Sequence, residues 1–421
     1  MGSLSRMKTS LPVKIAGIVL LFAVLVPAGQ AVTPLWIFNA TPGEALSTVA
    51  ISDSGSIIVA GGDQLVGISP QGQKLWAGWS GSPVDISGDG EYIVAAQDQF
   101  VCLISGQGVL LWQHPAGGEA VTAVSITPDG AIVAAGAGYV VQTWYNSGTG
   151  MGTNTTDLVQ DVKVSPVKDQ VLVSTAKALE TFNLTFVPNW QDTSLSPTAI
   201  AISGDGTGIV AANGNRVRMY HGSGTLLWDQ GFPGGNIISL AYSRDGSTIV
   251  AGRDDGSVLA ISRAGSLLWT GNAGVWATSV AVSDDGSTIA TGSIDNRIHI
   301  YNRQGTLLGE AITKNPVKSR SVAVSGDGNL IVAVDSSGVY GFSRSQFTAP
   351  AGAPAASPSA TPTPLPPTEA TPAPTALTVT VPVVTTGSVP SPSASPAPGF
   401  SGALVPAALA ILILAGKGRN G

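Results

Sequence analysis

Residues 239–269 read SLAYSRDGSTIVAGRDDGSVLAISRAGSLLW. An apolar run (Leu240-Ala241-Tyr242) meets an Asp245-Gly246 turn. A second run (248–251) and a third (258–261) follow, and the phrase closes on Gly265-Ser266-Leu267-Leu268-Trp269. Each run is short and rich in Val, Ile and Ala, the composition of strands buried on both faces. Asp-Gly at the link supplies a hairpin turn whose glycine takes positive φ without a steric penalty. The phrase recurs from residue 47 to residue 342, marked by Gly55, Gly90, Gly130, the degenerate Lys168-Asp169, Gly206, Gly246, Gly286 and Gly328. A spacing of about 35 to 42 residues is the period of four-stranded propeller blades.

In five copies the fourth run carries a tryptophan: Trp76, Trp112, Trp190, Trp228 and Trp269. After Gly305 comes Leu307-Leu308 but then Gly309, and after Gly148 the motif is missing. The last copy stops at Phe342 without a fourth strand, while Pro34-Leu35-Trp36-Ile37 stands unused ahead of the first. An N-terminal strand that completes the last blade removes the open edge of the ring. The expectation is an all-β, eight-bladed propeller closed by Trp36. Seven blades is the alternative, should residues 161–190 fail to form one.

Composition agrees. The chain has 421 residues with 53 glycines, 28 prolines and only 11% charged residues, a turn-dense and strand-rich balance. A net charge of −6 with no basic patch argues against nucleic acid as a partner. The single cysteine, Cys102, excludes an intrachain disulfide and reads as a small buried residue. The Asp-Gly turns do not space carboxylates at alternate positions over a dozen residues, as calcium loops do. His114, His221 and His299 fall at different points of the repeat, so a shared metal is not expected, nor any other cofactor.

The termini suggest export. Arg6, Lys8 and Lys14 precede an apolar stretch at 15–26 and a small-residue end at Ala28-Gly29-Gln30-Ala31, the parts of a signal peptide over 1–31, with an uncleaved anchor as the alternative. The propeller then spans 32–347. Sequons at Asn39, Asn154 and Asn183 become available for N-glycosylation. Residues 348–398 are almost all Pro, Ala, Ser, Thr and Val, the composition of an extended stalk. In 399–421 an apolar run of transmembrane character ends in Lys417 and Arg419.

Three resemblances sharpen this reading. Gly72–Trp76, Gly108–Trp112, Gly224–Trp228 and Gly265–Trp269 keep a glycine four residues before tryptophan and resemble the docking motif of quinoprotein-like propellers. The run before the glycine is one residue shorter, and Ser69, Ser105, His221 and Ser262 stand where that family has aspartate. That resemblance implies indoles docked on the neighbouring blade. Its dehydrogenases use an adjacent-cysteine disulfide and a calcium-bound quinone; one cysteine excludes the first, and no residue set here suits the second. The Asp-Gly turns are similar to those of WD-repeat blades, without the Trp-Asp pair. Pro398-Gly399-Phe400 with the apolar run and basic end resembles the PGF-CTERM sorting signal of archaeal surface proteins. That resemblance implies an archaeosortase, which replaces the helix with a lipid; a retained transmembrane helix is the alternative.

No Ser/His/Asp set or phosphate loop stands out, so a non-catalytic binding or scaffold module is expected, with a protein or glycan as partner. A quinoprotein-like oxidoreductase and a passive surface-layer component are the alternatives. The links from fourth to next first strand should present Trp79, Phe232 and Trp276, an insertion at 148–157, and the basic group Lys314, Lys318 and Arg320. Packing of Trp79 and Trp276 into grooves between blades is the competing reading.

Overall fold

The computed structural model describes residues 31–167 and 170–348. They form eight four-stranded antiparallel sheets. Blades 1 to 7 cover residues 46–78, 84–115, 121–154, 159–192, 199–231, 237–272 and 277–312. Blade 8 takes three strands from 322–343 and its outermost strand from Trp36–Asn39. That strand lies antiparallel to Gly338–Ser343, with Trp36 opposite Gly341 and Asn39 opposite Gly338. The orphan strand therefore closes the ring beside the last run, and the seven-bladed alternative is overturned. The degenerate copy is a complete blade 4, with strands Val159–Val164, Val171–Thr175, Leu179–Phe182 and Pro188–Asp192.

The second and third strands are rich in buried apolar residues because each sheet is sandwiched between two neighbours. Ile249, Val250, Ala251, Val258, Ala260 and Ile261 are all fully buried. The hairpin turn between first and second strands is a side-chain device. In blade 6 the Ser243 hydroxyl donates to Asp245 Oδ1 at 2.6 Å. The same carboxylate accepts Ser247 N–H at 2.9 Å, and Ser243 Oγ accepts Thr248 N–H at 3.0 Å. Gly246 takes φ +68° to close it. Ser87/Asp89, Ser203/Asp205, Ser283/Asp285 and Ser325/Asp327 repeat the arrangement.

These turns also link blades to one another. The second turn residue, or in blade 6 the third, donates its N–H to a carbonyl of the next blade's turn: Gly326 to Asp53, Asp53 to Gly88, and Gly88 to Pro128. Gly204 to Arg244, Asp245 to Asp284 and Asp284 to Gly326 continue the circle. It is interrupted at Pro128 and Pro166, which have no N–H to give.

Six seams are filled by an indole. Trp36, Trp76, Trp112, Trp190, Trp228 and Trp269 donate Nε1–H to carbonyls of Pro70, Gly106, Asn146, Gly222, Arg263 and Arg303 on the following blade. The other two seams find a substitute. Between blades 7 and 8, where Gly309 replaces tryptophan, buried Phe347 packs over the glycine and meets Phe342 at a tilt. Between blades 3 and 4 the aromatic comes from the opposite side: Phe186 sits at the hairpin position that is glycine elsewhere and packs against Phe182. The expected insertion at 148–157 is corrected here. Its residues Gly150–Asn154 are the regular fourth strand of blade 3, missed because Met151 takes the place of the tryptophan opposite Thr143.

Candidate functional site: the upper face and the channel mouth

We call upper the face that carries the links from each fourth strand to the next first strand, together with those from second to third strands. Trp79 and Trp276 lie there with 50% and 47% of their surface exposed, so neither packs into an inter-blade groove. Trp79 is held at φ +43°, a left-handed conformation that a bulky residue adopts only when its surroundings impose it. Phe232 is a correction. It is 2% exposed and packs among Ile237, Tyr242 and Ile249, because the link folds back so that the Phe232 carbonyl accepts the Arg253 guanidinium. Lys314 and Lys318 are exposed.

Arg320 does not join them as a surface cation. At φ +57° it turns inward, and its Nη2 donates to Asp161 Oδ1 at 2.8 Å. Asp161 belongs to the first strand of blade 4, four blades round the ring from blade 8, so the pair spans the axis. Lys163, two residues along the same strand, points to the same side as Asp161. Asp85 of blade 2 accepts Ile86 N–H at 3.0 Å and Ile126 N–H at 3.1 Å. Burial pushes the Asp85 carboxyl up, and Lys163, those two N–H groups and Arg320 oppose the rise. Asp85, Asp161 and Lys163 were missed by sequence reasoning. The signal was a charge inside an inner strand otherwise built of valine and isoleucine. Tyr139, Leu158 and Val275 are further exposed apolar residues of this face that were missed.

Most other carboxylates of the upper face hold its loops. Asp254 accepts Asn236 N–H at 2.7 Å, Asp255 accepts Gly235 N–H at 2.6 Å, and Asp335 accepts Asn315 N–H at 2.7 Å. At the lower end of the channel Arg244 reaches both Asp53 at 2.7 Å and Asp284 at 3.4 Å. Burial and the like charges of Asp53, Asp285 and Asp245 leave the Asp284 carboxyl raised despite that arginine.

The histidines stay apart. His114 lies against Trp112 and Trp144, His221 Nδ1 is hydrogen-bonded to Ser223, and buried His299 faces Glu310 at 3.5 Å. Among the described residues no three His, Cys, Asp or Glu side chains are placed to hold a metal. A cleft of about 530 Å³ opens between blades 4 and 5, lined by Trp190, Asp205, Thr207, His221 and Ser223 among others. Its Asp205 is spent on Ser203 and Thr207. Cys102 is buried, and burial pushes its thiol up to about 11, an unreactive state.

The sequons sit on the rim. Asn39 and Asn154 are exposed at the ends of outermost strands, while Asn183 uses Oδ1 to cap its own hairpin through Thr185 and Val187 N–H. Pro398, Gly399 and Phe400, with the expected export signal, stalk and C-terminal helix, lie outside the described residues.

The geometry defines an eight-bladed β-propeller with the Asp-Gly turns of WD repeats. Residues 230–260 and 265–302 match the WD domain, G-beta repeat family. The C-terminal WD40 domain of Sif2 is similar in fold at TM-score 0.64 and 16% identity, covering 74% of this chain and 98% of that one. The computationally designed Ika8 protein gives 0.62 at 18% identity, covering 75% and 100%. The β-propeller domain of Cps50 (Swd1) from Myceliophteria thermophila gives 0.53 at 14% identity, covering 62% and 96%. No curated protein matches the chain. At these identities the likeness is one of fold.

Proposed function

We propose that this protein is an exported, surface-anchored propeller that binds an extracellular protein or glycan through its upper face, without catalysis. One observation carries the reading. Of nine tryptophans, six dock between blades, Trp144 is buried, and only Trp79 and Trp276 stand half-exposed, both on upper-face links. Exposed indole is what binding hot spots are made of, and loops on a rigid scaffold are where they are placed. WD40 propellers serve generally as interaction modules, which supports the same reading. Export and anchoring are supported by the basic and apolar N-terminus and by the Pro398-Gly399-Phe400 tripeptide with its apolar run and basic end.

The test is a pull-down of cell-surface components and a glycan array with the full chain, recovered from the membrane fraction. Trp79→Ala and Trp276→Ala should each weaken the signal about tenfold or more without unfolding the ring. A signal indifferent to both indoles would favour a passive surface-layer component, and redox activity on alcohols or sugars after adding quinone and calcium would favour the oxidoreductase. Mass spectrometry of the same sample reads the anchor: loss of residues 411–417 from the mature chain means sorting, and their recovery means a retained helix.

A further inference from the structure

The link from blade 7 to blade 8, residues 313–321, is the longest of the eight between a fourth strand and the next first strand. Its base is tied down on several sides. Asn315 N–H donates to Asp335, Val317 is fully buried, and Thr278 Oγ1 donates to the Val317 carbonyl at 2.7 Å. The far end is held by both neighbouring blades. Ser321 N–H donates to Ser279 Oγ of blade 7, and Ser321 Oγ donates to the Ser47 carbonyl of blade 1. The tip, Lys318 and Ser319, is exposed to solvent, as are Lys314 and Pro316 nearer the base, and Arg320 follows the tip in a left-handed conformation.

That conformation is unfavourable for a residue with a Cβ, by about 1–3 kcal/mol, and something must hold it. Two contacts do. The Arg320 carbonyl accepts Val49 N–H at 3.2 Å from blade 1, and the guanidinium reaches over the axis to Asp161 at 2.8 Å, with the Thr122 carbonyl of blade 3 at 3.5 Å. Asp161 is itself fixed by Val162 N–H at 2.9 Å. Beneath this bridge lie Lys163 and Asp85, neither fully exposed.

We propose that the 313–321 link is a strap latched across the upper mouth of the axial channel by the Arg320–Asp161 ion pair, and that its release uncovers Lys163 and Asp85. The strap deepens the upper-face reading as a control on the same surface, but the latch itself can be tested without any ligand. When the pair breaks, Arg320 loses its partner across the ring and the tip is left anchored only at its ends. The channel mouth then passes from a closed charge pair to an open polar entrance.

Hydrogen exchange of the full chain, read by mass spectrometry, tests this. Arg320→Ala and Asp161→Asn should each raise exchange across 314–321 about five- to tenfold, as expected when a half-buried pair holding a local structure is removed. The double variant should go no further than either single, because both remove the same bond. Exchange across 248–262 in blade 6 should not change, which separates release of the strap from loss of the fold. If Arg320→Ala proves unstable, Asp161→Asn alone reads the latch, since it leaves the strap sequence intact. Unchanged protection of 314–321 in the singles, or a double variant equal to the product of the singles, would overturn the latch. Either result leaves the pull-down on Trp79 and Trp276 to stand or fall separately.

Discussion

Gly305 has no side chain because Trp269 leaves no room for one. A Cβ there would collide with the indole, and its φ of +79° already penalises any other residue. Trp269 is 2% exposed, stacks on Tyr301 with centroids 5.4 Å apart, and donates to the Arg303 carbonyl at 2.9 Å. Glycine and tryptophan are therefore one packing unit divided between two blades. The exception follows from the same contact: blade 3 has no tryptophan in its fourth strand, and blade 4 has Phe186 at the glycine position, φ +57°. Trp269→Ala should cost about 3–5 kcal/mol in chemical denaturation, the range for a large buried side chain. Gly305→Ala should cost about 1–3 kcal/mol from overpacking and strain. In the Trp269→Ala background most of the second cost should vanish, leaving only the backbone term; fully additive losses would show that the two residues do not share a packing site.

The turn between first and second strands was legible because its chemistry is local: Ser, Asp and Gly within four positions bond one another before any blade packs. The same turn predicts acid behaviour. Burial pushes the carboxyls of Asp205, Asp245, Asp285 and Asp327 up, but hydrogen bonds from the turn serine, the following residues and backbone N–H outweigh it. All four end below the usual range, Asp205 at about 2. Their stabilisation is complete above the unfolded value of about 4 and is lost as pH falls through the folded values. Buried His299 is held below 6.5 chiefly by desolvation, so its neutral form also loses stability as pH falls below 6.5. Thermal unfolding from pH 7 to 2 should therefore show a shallow decline below about 6.5 and a steep one between about 4 and 2. Asp205→Asn should flatten the second phase; an unchanged slope would remove that turn from the account. The strap escaped sequence reading for the opposite reason. Arg320 and Asp161 are 159 positions apart, and nothing near either residue signals the other. Phe232 misled because aromatics on links read as exposed, whereas this link folds its ring into the seam between blades 5 and 6.

At the scale of the ring, stability depends on circularity. Each blade is held by two neighbours, through an aromatic at the outer seam and, over most of the circle, backbone hydrogen bonds at the lower turns. The closing strand supplies both kinds of contact to blade 8: its ladder to Gly338–Ser343, and the Trp36 indole donated to Pro70 of blade 1 at 2.8 Å. Nothing else in the described chain can replace it, because Phe347 already occupies the preceding seam. A chain beginning at residue 40 exposes the whole outer edge of Gly338–Ser343, a template for pairing with other chains. It also leaves Gly72 facing an empty groove where Trp36 belonged. Such a truncation should lose several kcal/mol, the combined order of a tryptophan deletion and a lost strand pairing. It should also unfold in more than one step and aggregate on warming. A synthetic peptide of residues 32–40 added in trans should restore a single transition, and the same peptide with Trp36→Ala should restore it less. A truncated chain that unfolds at the wild-type temperature in one transition would mean that the ring does not need its closing strand.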